Sequence, residues 1–234
     1  MGAIWGYERA MTMADENIDG NNRTESRAVR RRQLIEATIS SIAELGLSNT
    51  TLTSVTERAG LSHGTINFHF KSKDVLLLET LSFLAYEHFD NWSTAKRDAG
   101  PEPSRQLAAI IEVDFKPEIC PPEKLSVWFS FWGQVKYRPA YLEKHDRYDL
   151  KRFAAIEALC EEIIQEGGYS DIDSYAATRR IESLIDGLWL NMLLYPQITG
   201  REAARDDAFD YLALLFPKHF ARVDSVSAAR CGAI

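Results

Sequence analysis

The sequence predicts an all-α chain, with a small three-helix head near the N-terminal end joined by one long helix to a larger helical bundle. Three observations carry this. Apolar residues recur at helical spacing along most of the chain, and no segment alternates apolar and polar residues as a half-buried strand would. Ser, Thr, Gly and Pro fall where the helical patterns start and stop. Charge is also divided unevenly: residues 23–73 hold 8 Lys/Arg against 4 Asp/Glu, and residues 74–234 hold 18 against 26. In a chain of net charge −7, a basic segment on an acidic body points to a module that meets a polyanion, attached to something else.

The elements follow in order. Residues 1–24 are polar and rich in Gly and Asn, and are expected to form a disordered arm. They lack a basic region followed by an apolar block, so no signal peptide is expected. Residues 27–46 place Val29, Leu34, Ile35, Thr38, Ile42 and Leu45 on one helical face, with Gly46 closing the helix. Thr51 caps a short helix that ends before Gly60, and Ser62 caps the next, from His63 to about His69. Ser72 then caps a long helix, Lys73 to about Asp98, which ends at the Gly/Pro stretch 99–103. Further helices are expected over 104–116, 123–138, from about 140 to 168, over 173–195 and over 201–220. The head is therefore drawn at 25–72, the body at 73–220 and a flexible tail at 221–234.

Several function classes are set aside at this stage. Cys120, Cys160 and Cys231 lie far apart with no Cys-x-x-Cys, so neither a disulfide framework nor a metal site is expected, and a reducing cytoplasm fits. No apolar run approaches the ~18 residues of a membrane span. A P-loop, Gly-x-Ser-x-Gly, His-Glu-x-x-His and paired Glu-x-x-His are all missing, so neither an enzyme nor a cofactor is expected.

Residues 51–74 have the pattern of a helix-turn-helix. Val55 and Ala59 face inward, Gly60 makes the turn, Leu61 plugs the corner and Ile66 holds the second helix down. His63, Thr65, Asn67 and Phe68 are left to point outward, and Gly64 removes bulk so that the helix start can approach a duplex. The two aromatics that flank His69 are otherwise expected to pack behind this polar face. Thr, Asn and His side chains can bond base edges or phosphate oxygens, and Arg30, Arg31, Arg32, Lys71 and Lys73 suit phosphates.

This stretch, TLTSVTERAGLSHGTINFHFKSKDVLL, resembles the DNA-binding helices of the tetracycline-repressor (TetR) family, in its Ser-x-Gly-x-Ile start, aromatic-His-Phe ending and Lys-Asp helix opening. The resemblance is strong over about 26–80. It implies a homodimeric repressor whose heads sit in successive major grooves of a double-stranded DNA operator. Thr51, Thr53, Ser62 and His69 join the expected contact set. Thr56 stands where the family usually has Ala, which costs little if its hydroxyl bonds back to the helix. Asn67 stands where many members have a phosphate-contacting Tyr, which leaves its role open between phosphate contact and adenine reading.

In the body, Trp128 and Trp132 stand at i, i+4 beside Phe129 and Phe131, and Asp186 interrupts an apolar helix just before Trp189. Aromatic faces attract cations by roughly 0.5–2 kcal/mol each. Trp128, Trp132, Asp186 and Trp189 would together suit a quaternary ammonium ligand. The same stretches, with residues 30–39, resemble a branch of the family, the choline-responsive repressors of glycine betaine synthesis. That resemblance implies choline or betaine aldehyde as effector, although other branches share this type of body. Gly187 would serve close helix packing; with the apolar stretch 210–216 it suggests either a homodimer seam through the last two helices or a purely internal contact.

Overall fold

The structure, a computed structural model, describes residues 21–222. Among the described residues there are nine helices and no strand: α1 Asn21–Leu45, α2 Leu52–Ala59, α3 His63–His69, α4 Lys73–Asp98, α5 Pro103–Val113, α6 Pro122–Trp132, α7 Pro139–Gly167, α8 Ser174–Leu194 and α9 Arg201–Leu215. The all-α expectation holds. α1 begins at Asn21, so the last four residues of the expected arm are helical, while residues 1–20 and almost all of the expected tail, with Cys231, lie outside the described residues.

The helix ends are set by local chemistry. Thr51 and Ser54 form a reciprocal capping box at α2. Ser62 Oγ accepts from Thr65 N at α3, Ser72 Oγ from Val75 N at α4, and Asp173 Oδ1 from Ala176 N at α8. Proline opens α5 and α6, where its missing N–H costs no helical bond. Gly60 closes α2 at φ +63°, a left-handed conformation that favours glycine.

The residues cluster into two compact units. One unit takes residues up to Thr94 together with Pro117–Arg152; the other takes Ala95–Lys116 and everything from Phe153. The reason is packing. α6 lies along α1, and Lys124 of α6 pairs with Glu87 of α4 while donating to the Glu118 carbonyl at 2.6 Å. Arg138, just before α7, pairs with Asp74 in the first turn of α4 at 2.6 Å. The head's core holds Leu34, Ile35, Thr38 and Ile42 of α1, Val55 of α2, Ile66 of α3 and Phe70, none of them more than 1% accessible. Val29 and Leu45, expected on that face, are 57% and 38% exposed. The hydroxyl of Thr56 donates to the Thr53 carbonyl at 2.9 Å, so this buried threonine is satisfied within its own helix.

In the second unit α8 and α9 pack together and α5 packs on α9. Trp189 donates its indole N–H to the buried Asp114 carbonyl at 2.9 Å. Arg205 of α9 grips both oxygens of Glu112 at 2.8 Å. Burial raises the Cys160 thiol to about 11, which keeps it protonated and inert.

Candidate nucleic-acid interface

α3 presents one outward face. His63, Gly64, Asn67 and Phe68 are exposed, Thr65 and His69 are half-buried, and Ile66 anchors the helix from beneath. A Cβ on Gly64 would meet only Ser62 Oγ at 3.5 Å, an ordinary contact. The protein itself therefore does not demand glycine there, and any demand comes from what approaches the face. Ser62 Oγ caps α3 and lies 3.0 Å from Thr65 Oγ1, which ties the two hydroxyls together. Thr51 is committed as the α2 cap, and Thr53 is exposed on the following turn.

The two aromatics part company. Phe70 packs behind the face, as expected. Phe68 points outward, the other arrangement expected for it: it is 69% exposed, with the Arg27 guanidinium 5.2 Å from its ring centroid and the His69 ring edge-on at 5.2 Å. His69 is held below the ordinary histidine range, first by burial and then by Arg27 and Arg31, so the neutral imidazole prevails.

The basic residues also differ among themselves. Arg31 is bound to Glu79 at 2.6 Å and lies over the Phe70 ring, and only 16% of its side chain is exposed. Arg32 bonds Glu36 at 2.7 Å and lies over Phe83. Arg31 is thus engaged within the fold, whereas the Arg32 pair is an exposed i, i+4 bridge that leaves its side chain 38% accessible. Arg30 and Lys71 are exposed. Lys73 donates to the Ser48 carbonyl at 3.1 Å, which orients its ammonium while two further N–H groups remain on it.

Of the expected effector residues, Trp128 and Trp132 form a tilted ring pair at 6.1 Å, with Phe129 edge-on to Trp132 at 5.0 Å. Trp128 is buried and Trp132 half-buried. In the second unit Asp186 is exposed, and Trp189 is buried with its N–H already engaged. Open space surrounds the Cβ position of Gly187, so packing within this chain is not its purpose. Sequence reasoning missed a second aromatic group in the first unit. Tyr86, Phe89 and Tyr148 pack within 5.0–6.3 Å of one another, and Lys151 Nζ lies 5.0 Å from the Phe89 centroid. Its rings come from two helices some sixty residues apart, and no local pattern announces them. Among the described residues no cluster of His, Cys, Asp and Glu could hold a metal, and no helix is long and apolar enough to cross a membrane.

Residues 34–80 match the tetR family of bacterial regulatory proteins, and residues 103–217 match the C-terminal domain of BetI-type transcriptional repressors. The HTH-type transcriptional regulator BetI of Paraburkholderia xenovorans (strain LB400) is 32% identical over 193 residues, covering 81% of this chain and 94% of that protein. The chain belongs to the TetR family. It is a transcriptional repressor with a BetI-type C-terminal domain, not an enzyme. BetI of Burkholderia mallei (strain NCTC 10229) is similar to the same degree, 32% identical over 82% of this chain and 96% of its own length. Among solved TetR-like folds, a transcriptional regulator of Pseudomonas aeruginosa PAO1 superposes with a TM-score of 0.70 at 26% identity, covering 82% of this chain and 93% of its own. A regulator from Saccharomonospora viridis, solved in complex with choline, shares the fold at a TM-score of 0.67 and 23% identity, over 78% of this chain and 94% of that one. Members of the TetR family bind DNA operators, usually as homodimers, and respond to small-molecule effectors.

Proposed function

We propose that this repressor holds its operator as a homodimer in the cytoplasm and is released from it by a small organic cation of the choline type. The observation that carries the DNA half is the exposed face of α3, rigidly capped at Ser62 and anchored at Ile66. The seam that would join two copies is supported by exposed apolar residues on α8 and α9, Leu190, Leu194 and Leu214, and by the open Gly187.

The effector half is supported by the Trp128–Trp132 ring pair and by choline in the Saccharomonospora viridis regulator. Those rings sit on α6, which packs along α1 and is tied to α4 through Lys124 and Glu87. A cation that shifts α6 therefore acts on two helices of the head's own unit. Release requires differential affinity: a ligand that binds both conformations equally shifts nothing, however tightly it binds. Calorimetry with choline at millimolar concentration, paired with operator release followed by fluorescence anisotropy, tests the reading. Trp132→Ala should weaken the response to choline and leave operator affinity nearly intact. Absence of choline binding to the folded wild type would remove choline and leave a repressor with another small organic effector. A protein that no ligand releases would favour an architectural DNA-binding role.

A further inference from the structure

Helical rotation turns Phe68 away from the core that Ile66 enters, and the fold leaves its ring uncovered on the outer face. It is the one phenylalanine among the large apolar side chains that the described residues leave exposed, at 69% accessibility, and it stands on the helix whose other exposed residues are polar or glycine. Burying that ring behind α3 would stabilise the isolated fold, as Phe70 does two residues later. Phe68 is also held rather than loose. Arg27, from the first turns of α1, lies over its ring at 5.2 Å, and His69 abuts it edge-on at an interplanar angle of 86°. A guanidinium stacked on a ring restricts it without covering its opposite face.

The major groove contains one apolar group among its donors and acceptors, the C5-methyl of thymine. We propose that Phe68, fixed by Arg27, is a 5-methylpyrimidine-reading subsite that contacts one thymine methyl in each operator half-site. It deepens the repressor reading and rests on it. Arg27 is a positioning residue in this account: it acts through the ring and leaves the base to Phe68. The polar neighbours fit the assignment, since Asn67 precedes Phe68 on the same exposed face and offers hydrogen bonds to an adjacent base or phosphate.

Replacing thymine by deoxyuridine tests this directly, because it deletes the methyl and leaves charge and base pairing unchanged. An operator duplex is first obtained by selecting random-sequence DNA on the full-length protein and sequencing what is retained. Each thymine is then replaced singly by deoxyuridine and the dissociation constant measured by fluorescence anisotropy. Loss of one buried methyl weakens binding about 4-fold, and loss from both half-sites about 15-fold. Wild type should show this penalty at one symmetric thymine pair. In Phe68→Ala the penalty should vanish at that pair, and in Phe68→Leu part of it should persist, with circular dichroism confirming that both variants are folded. In Arg27→Met the penalty should shrink, because the ring loses its stacking partner.

Equal affinity for thymine and deoxyuridine at every position would overturn the proposal, as would a penalty that survives intact in Phe68→Ala, which would assign it to duplex shape instead. A penalty unchanged in Arg27→Met would overturn the part given to Arg27. Failure to retain any duplex would count against the repressor reading itself, whereas binding without methyl sensitivity would count against this subsite alone.

Discussion

Replacing Arg31 with alanine should leave the salt dependence of operator binding unchanged, whereas replacing Arg30, Lys71 or Lys73 should flatten it. Arg31 is held by Glu79 of α4 in a part-buried pair, and Arg32 meets Glu36 in an exposed i, i+4 bridge. We propose Arg30, Lys71 and Lys73 as the phosphate clamp, three per head and six per dimer. At about 0.9 released counterions per phosphate contact, the log–log slope of affinity against salt is about −5.4. Each substitution of a clamp residue removes two contacts per dimer and flattens the slope by about 1.8. Arg31→Ala acts elsewhere. It breaks a part-buried, charge-assisted bond of 2.6 Å and uncovers Phe70, at a cost of about 2 kcal/mol in stability. Anisotropy titrations between ~50 and ~200 mM salt give the slopes, and urea melts give the stabilities. A slope about two units flatter in Arg31→Ala than in wild type would refute the reasoning. It would mean that the Glu79 pair opens on the duplex and that Arg31 belongs to the clamp.

Trp189→Phe keeps the buried ring but leaves the Asp114 carbonyl without its indole donor, so it should cost about 2 kcal/mol and lower the melting temperature by about 4–8 °C in calorimetry at fixed protein concentration. Gly167→Ala should destabilise by about 1–3 kcal/mol, read as a lower urea midpoint. The added methyl overlaps the Tyr169 ring and comes within 2.8 Å of His219 Cε1, and that ring cannot retreat because its hydroxyl is bonded to Lys218 N and to His219 Nδ1. Because the folded-state pKa of His69 is depressed, the unfolded chain binds the extra proton first as pH falls. His69 therefore contributes stability above its ordinary value of 6.5 that is lost as pH drops below it, and urea midpoints measured from pH 7.5 down to 5.5 should fall less in His69→Gln than in wild type.

The helix starts and stops were legible because capping is local chemistry. Thr51, Ser62, Ser72 and Asp173 each satisfy a backbone N–H within three residues, so a short window of sequence contains both partners. The division into units was not legible for the opposite reason. Lys124 meets Glu87 and Arg138 meets Asp74 across 37 and 64 residues, and nothing near Asp74 indicates that α4 begins beside a segment from the body. The same distance in sequence hid the state of the arginines: three in a row at 30–32 look alike, yet the partner that withdraws Arg31 lies 48 residues away.

The candidate recognition face divides along the same line. Its geometry follows from helical rotation alone, since a residue two positions after a buried one lies about 200° around the axis. With Ile66 buried, Phe68 had to point away from the core, while Phe70, four positions on, returned to it. Hydrophobicity argued for packing both rings, and rotation allowed only one. A large apolar side chain that its own helix turns outward, and that a distant arginine then steadies, is explained by neither the core nor solvation. What remains is a surface outside the protein, which we propose is the floor of the major groove.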